Sequence, residues 1–203
     1  MTTLNLQVAA GADDAYETAD NTGFASNDAV VRIYSSSNAA VRRVGAFRFS
    51  SVTIPPGSTI IAATLSVWGE NVTLDNPHCD LYCEDIDDSP DFATNADVID
   101  RVRTTASVGW SVVGIGTSGY TAAPDIATLI QEVIDRVGWA SANALTVIGV
   151  GRTDIVRSLT VHSYDGDPAK AAKLDITYTE PGGGALIEGK LVGRGILGGR
   201  LVA

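Results

Sequence analysis

The stretch from Val41 to Trp68, VRRVGAFRFSSVTIPPGSTIIAATLSVW, constrains the fold more than any other part of the chain. Gly45, Phe47 and Phe49 alternate with Ala46, Arg48 and Ser50. A period of two with aromatics on one face predicts a strand buried on one side only. Pro55, Pro56 and Gly57 then interrupt the pattern. Proline fixes φ and removes an N–H, and glycine accepts positive φ, so a reversal belongs there. The next run, TIIAATLSVW, predicts a second strand with Ile61, Ala63, Leu65 and Val67 on one face.

Similar alternation recurs along the chain. Leu4, Leu6 and Val8 mark a first strand, Val31 and Ile33 another, and Cys79, Leu81 and Cys83 a further one. An apolar strand is expected around Trp110 to Val113, an inner strand in ANALTVIGVG, and closing strands at Ser158–His162 and Lys173–Thr179, with Leu174, Ile176 and Tyr178 inward. The acidic segment from Asp13 to Asp28 reads as a long loop. One helix is expected, because Ile126, Leu129, Ile130, Val133, Ile134 and Val137 form a single amphipathic stripe. Pro124 suits its first turn and Gly138 its C-terminal end. Its expected place is one end of the sandwich.

A chain of 203 residues, 45% hydrophobic and 19% charged, is long enough for one large all-β domain. The predicted body is residues 1–180, an antiparallel β-sandwich, followed by a glycine-rich apolar tail at 181–203. The formal net charge is −10, and the body is more acidic still, because the tail carries Lys190, Arg194 and Arg200 against a single Glu188. An acidic body argues against nucleic acid, since phosphate contacts need clustered Lys and Arg. No stretch is long and apolar enough to cross a bilayer. The start, MTTLNLQVAAGADD, has no basic n-region and too short an apolar run for a signal peptide. Cys79 and Cys83 in one extended run lie about 13 Å apart. That is beyond disulfide reach, so free thiols on a core face, in a protein made in a reducing compartment, are expected.

Arg42-Arg43, the F-R-F strand, and I-P-P-G-S-T-I-I-A-A-T-L-S-V-W together resemble DNRLRE-type modules related to a carbohydrate-binding family. The opening DDAYETADNTGFASNDAVVRIYSSS, the short helix with tryptophans on either side, and the closing HSYDGDPAKAAKLDITYTE extend the resemblance over roughly residues 8 to 180. It implies a jelly-roll-like sandwich and a polysaccharide as ligand. At the closing strand the family's Arg-Glu is replaced by Tyr164-Asp165. A module resembling an extracellular binding family, with no export signal, fits assembly into a virion in the host cytoplasm.

For a glycan, the expected contacts are aromatic faces with polar neighbours: Trp110 among its glycines, Tyr120, Tyr164 and Asp165. Trp68 and Trp139 read as core. Asp85, Asp87 and Asp88, in an acidic cluster with Glu84 and Asp91, offer two readings: a structural calcium site or a solvated acidic loop. No other cofactor is expected. His78 beside Cys79 and Cys83 lacks the fourth ligand and the turn that zinc requires. There is no G-x-S-x-G, H-E-x-x-H or phosphate-binding loop, and no carboxylate pair stands out, so the chain reads as non-enzymatic.

The tail repeats apolar doublets at a spacing of five: Leu186-Ile187, Leu191-Val192, Ile196-Leu197 and Leu201-Val202. Glycine is costly in a helix, and four exposed doublets are costly in water. Burying them would contribute roughly 12 kcal/mol or more before ordering costs. The tail is either a flexible linker, which its regular spacing argues against, or it calls for a partner: its own domain, sister subunits in a homo-oligomer such as a trimer, or another virion protein. Such endings are similar to those of phage structural proteins. Two functions follow as expectations. One is a virion structural component, in head decoration or a tail fibre or tip, assembling through its tail; the other is a free-standing carbohydrate-binding module.

Overall fold

The computed structural model describes residues 1–70, 78–93, 98–111, 115–154 and 156–182. The tail doublets from Leu186 to Val202 lie outside them. The described chain forms an antiparallel β-sandwich with one short helix. Its strands are β1 (Thr2–Gln7), β2 (Asp14–Thr18), β3 (Phe24–Ala25), β4 (Val30–Ser35), β5 (Arg43–Phe49), β6 (Thr59–Trp68), β7 (His78–Cys83), β8 (Val108–Ser111), β9 (Tyr120–Ala122), β10 (Leu145–Gly151), β11 (Arg157–His162) and β12 (Lys173–Thr179). The helix, α1, spans Ala127–Ile134. A four-stranded sheet runs β1-β12-β6-β9. The larger sheet runs β11-β4-β5-β10-β7-β8, with β2 pairing β5 and β3.

Alternation drives the packing of the two layers. Leu174, Ile176 and Tyr178 of β12 and Ala63, Leu65 and Val67 of β6 face Phe47 and Phe49 of β5, Val147 of β10 and Leu81 of β7 across one core. Each fully buried large apolar side chain contributes about 1.5–3 kcal/mol. Cys79 and Cys83 are both buried in that core as free thiols. Desolvation pushes the Cys79 thiol up to about 12 and raises Cys83 as well, so neither is ionised near neutrality.

Several expectations are corrected. β5 is buried on both sides, not one. Ala46, Val44, Ala15 and Ile148 form the floor of a second core, closed over by Phe92 and Val98. The segment that provides this cover is fastened by charge. Arg48 donates to Asp13 and, at 2.7 Å, to the Ser89 carbonyl. Glu17, fully buried, accepts from the Val98 and Ile99 amides at 3.2 and 3.1 Å. Arg101 donates to Glu84 at 2.7 Å and lies 4.2 Å above the Phe92 ring.

On β6 the expected face slips at its start. Ile176 pairs Ala63 and Thr177 pairs Ala62, but Tyr178 pairs Ile60, leaving Ile61 as an extra residue. This β-bulge turns Ile60 inward and Ile61 outward, at 8% and 44% exposed. The segment 13–28 is not one long loop, because it contains β2 and β3, paired Tyr16 to Ala25. The helix is shorter than its apolar stripe. It begins after Pro124, with the Asp125 carboxylate accepting from the Ala127 amide at 2.9 Å. It ends before Val137, which is fully exposed. α1 packs against β6 and β7, burying Leu129, Ile130, Val133 and Ile134. Gln131 accepts from the Ile60 amide at 2.7 Å beside the bulge.

Paired glycines let β4 cross the core face of the larger sheet. Gly45 and Gly149 are cross-strand partners in β5 and β10. A Cβ on either would lie within 2.8 Å of Ile33 side-chain carbons. β11, paired with β4, then reaches the end of β6 through a bridge from Val161 to Gly69. Among the described residues no helix is long and apolar enough to cross a membrane.

Candidate functional site

Two surface features stand out, on the outer faces of opposite sheets. The first is on the four-stranded sheet. Because Ala63, Leu65 and Val67 point inward, Thr64, Ser66 and Trp68 point outward. β9 pairs with the end of β6 so that Tyr120 lies opposite Trp68. Their rings meet edge to face, with centroids 5.2 Å apart. The Trp68 indole N–H donates to the Thr117 carbonyl at 2.9 Å, leaving the indole half-buried. The Tyr120 hydroxyl donates toward the Ala169 and Ala171 carbonyls at 2.9 and 3.1 Å and accepts from Gln7 at 3.2 Å. Lys170 lies 5.6 Å from the Trp68 ring, and Lys173 lies 4.2 Å from the Tyr120 ring. The result is an aromatic corner flanked by two ammonium groups and an amide. Trp68, read from sequence as core, is the part of this corner that sequence reasoning missed.

The other expected contacts do not join it. Trp110, in β8, is only 4% exposed and packs in the main core, so its ring is not available as a platform. Glycines on both sides suggested exposure, but β8 pairs with β7 and turns the indole inward. Trp139 is core, as expected, with its N–H donated to the Ile54 carbonyl at 3.0 Å. Tyr164 and Asp165 lie instead beside Gly11 and Asp14. The Tyr164 amide donates to Asp14 at 2.8 Å, and Asp165 packs where a Cβ on Gly11 would stand. Burial pushes the Asp14 carboxyl up to about 7; the Tyr164 amide opposes the shift, and Asp165 and Asp13 add to it.

The acidic cluster serves as a fastening. Asp85 and Asp87 both accept from Arg136, just after α1. Asp88 accepts from the Ala144 amide at 2.8 Å, and the Asp87 carbonyl accepts from Asn143 at 2.9 Å. Their oxygens are used to hold the 135–144 connection against the 85–88 loop. Among the described residues no group of three or more His, Cys, Asp or Glu side chains is arranged to hold a metal.

The second feature is a groove of about 410 Å³ on the larger sheet. Val44 pairs with Val150, and Val150 pairs with Asp80. That register aligns the outer face of β5, β10 and β7 beside the covering segment. Arg42, Asp80, Tyr82, Val150, Arg152, Thr153 and Asp154 are among the residues that line the groove. Arg152 lies 3.3 Å from Asp80, and Asp154 lies 3.5 Å from His78 Nδ1. Arg103 lies 6.0 Å from the Tyr82 ring centroid. Desolvation lowers the Arg103 guanidinium from its usual range; Tyr82 and Asp100 oppose this, and Arg42 lowers it further.

No protein-family model matches the chain, and no curated protein matches it.

Proposed function

We propose that the chain is a non-enzymatic recognition and display module, a virion structural component whose sandwich carries a polysaccharide-binding face and whose tail joins it to sister subunits. The observation that carries the recognition half is the Trp68–Tyr120 corner, flanked by Lys170, Lys173 and Gln7 on the solvent side of the four-stranded sheet. Aromatic faces stack on sugar rings, and neighbouring donors fix hydroxyls or carboxylates. Each lysine leaves its ring at a cost of about 0.5–1 kcal/mol. Acidic sugars suit the corner best, because they can pair the Lys173 ammonium after displacement, whereas Lys170 is already held by Asp167 at 2.9 Å. The non-enzymatic reading is supported by the structural use of the buried carboxylates: Asp13 on Arg48, Glu84 on Arg101, and Glu17 on two amides.

The test of recognition is retention on a panel of acidic and neutral polysaccharides. Binding to an acidic member is expected, weakened about tenfold or more in Trp68→Ala and made less salt-dependent in Lys173→Ala. Retention by no polysaccharide would overturn this half. The assembly half rests on the tail sequence. Removing residues 183–203 is expected to leave a folded body of lower oligomeric state, and an unchanged state on truncation would sink it.

A further inference from the structure

We infer that the groove lined by Arg42, Tyr82 and Arg152 is a second binding site, one that takes the oxyanion of a small, soluble organic acid. This goes beyond the glycan-binding corner, which lies on the opposite sheet, and does not depend on it.

The charge pattern carries the inference. The chain has 24 acidic side chains against 14 Lys and Arg, so most cations have a carboxylate to hand. Arg32, Arg48, Arg101, Arg136 and Arg152 each have one. Among the described residues Arg42 has none, and its Nε is shut away from water with no hydrogen-bond partner. Arg103, next to Tyr82, differs: the Asp100 carboxylate acts on it, one of its terminal nitrogens donates to the Ile99 carbonyl, and its Nε is buried and unpartnered. The Arg42 guanidinium is thus held at the groove partly desolvated and, among the described residues, without a counter-ion. Such an arrangement is costly unless an anion completes it.

The groove supplies the room and the geometry. A guanidinium presents a planar fork of donors that matches two oxygens of a carboxylate, sulfate or phosphate. Arg42 and Arg152 both line the cavity. Asp80 is already engaged by Arg152, which leaves Arg42 as the lining cation with no carboxylate of its own. The volume, about 410 Å³, is that of a small-molecule site rather than of a bare ion. Asp80, Thr153 and the Tyr82 hydroxyl can receive or donate hydrogen bonds to the rest of such a ligand.

The test is a titration of the full chain with acetate, inorganic sulfate and glycerol phosphate, replacing chloride at constant ionic strength. The reporters are the Arg42 and Arg103 Nε–H resonances, which burial protects from exchange. At least one oxyanion is expected to shift both signals saturably. The affinity should fall about ten- to a hundredfold in Arg42→Gln and Arg152→Gln. Arg42→Lys, which keeps the charge and loses the fork, should fall in between. A response to acetate alone marks a planar carboxylate site, and one to sulfate or glycerol phosphate a tetrahedral one. The inference is overturned if no oxyanion differs from chloride, or if Arg42→Gln and Arg42→Lys both keep wild-type affinity. Because Trp68 is untouched in these variants, that failure would be distinct from a failure of polysaccharide binding.

Discussion

Asp14 shows how one buried group sets a pH dependence. Its carboxyl is almost wholly buried and titrates near 7, with a single amide donor and two other carboxylates nearby. The folded pKa is raised above the unfolded value of 3.8, so the folded state holds a proton that the unfolded state has lost between about pH 4 and 7. Stability from this group is therefore present at low pH and is lost as pH rises toward and through 7. Asp14→Asn keeps an acceptor for the Tyr164 amide and removes the titration. The variant is expected to be more stable than wild type at pH 8, and its advantage to shrink by about 2–3 kcal/mol at pH 5. Denaturant midpoints of both proteins at the two pH values measure this. An advantage that does not move with pH would mean that Asp14 is ionised freely in the folded state.

At the scale of elements, the legible parts are those whose pattern depends on one strand alone. Phe47 and Phe49, Leu174 to Tyr178, and the buried thiols of β7 follow directly from period-two spacing. Ile61 does not, because a bulge is set by the register of β12 against β6 and leaves no mark in the β6 sequence. Val137 sits on the helical stripe, yet α1 stops earlier, where Asp85 and Asp87 take Arg136. β2 and β3 escaped because they are short and lie among Asp, Asn and Gly. Glycines divide in the same way. A Cβ on Gly149 would meet the flexible end of Ile33, whereas one on Gly151 would lie 2.0 Å from the Tyr34 carbonyl oxygen. Gly149→Ala is expected to cost about 1 kcal/mol, and Gly151→Ala about 3 kcal/mol or more, since backbone yields less than a side-chain tip. Thermal unfolding of the two variants checks the order. Equal losses would show that β4 shifts as readily as Ile33.

For the whole molecule, the second core divides stability unevenly. Phe92 and Val98 close over Ala46 and Ile148, whereas the main core lies between the two sheets. Phe92→Ala is expected to cost about 3–5 kcal/mol locally. Hydrogen exchange should then speed up at the Val98 and Ile99 amides that Glu17 holds, well before Leu174 or Val147 responds. Uniform acceleration would make the two cores a single cooperative unit. Neither the second core nor the groove was legible beforehand. Phe92 and Val98 are too sparse to form a pattern, and Arg42, Asp80 and Arg152 meet only through the pairing of Val44, Val150 and Asp80.

One consequence follows from the order of strands. β1 is made long before β12, its partner, and β12 is also the strand that joins β1 to β6. During synthesis, at roughly 5–20 residues per second, the opening TTLNLQ therefore waits on the order of ten seconds for its mate. Until then the smaller sheet has no first half, and the nascent chain carries an open apolar flank as it leaves the ribosome.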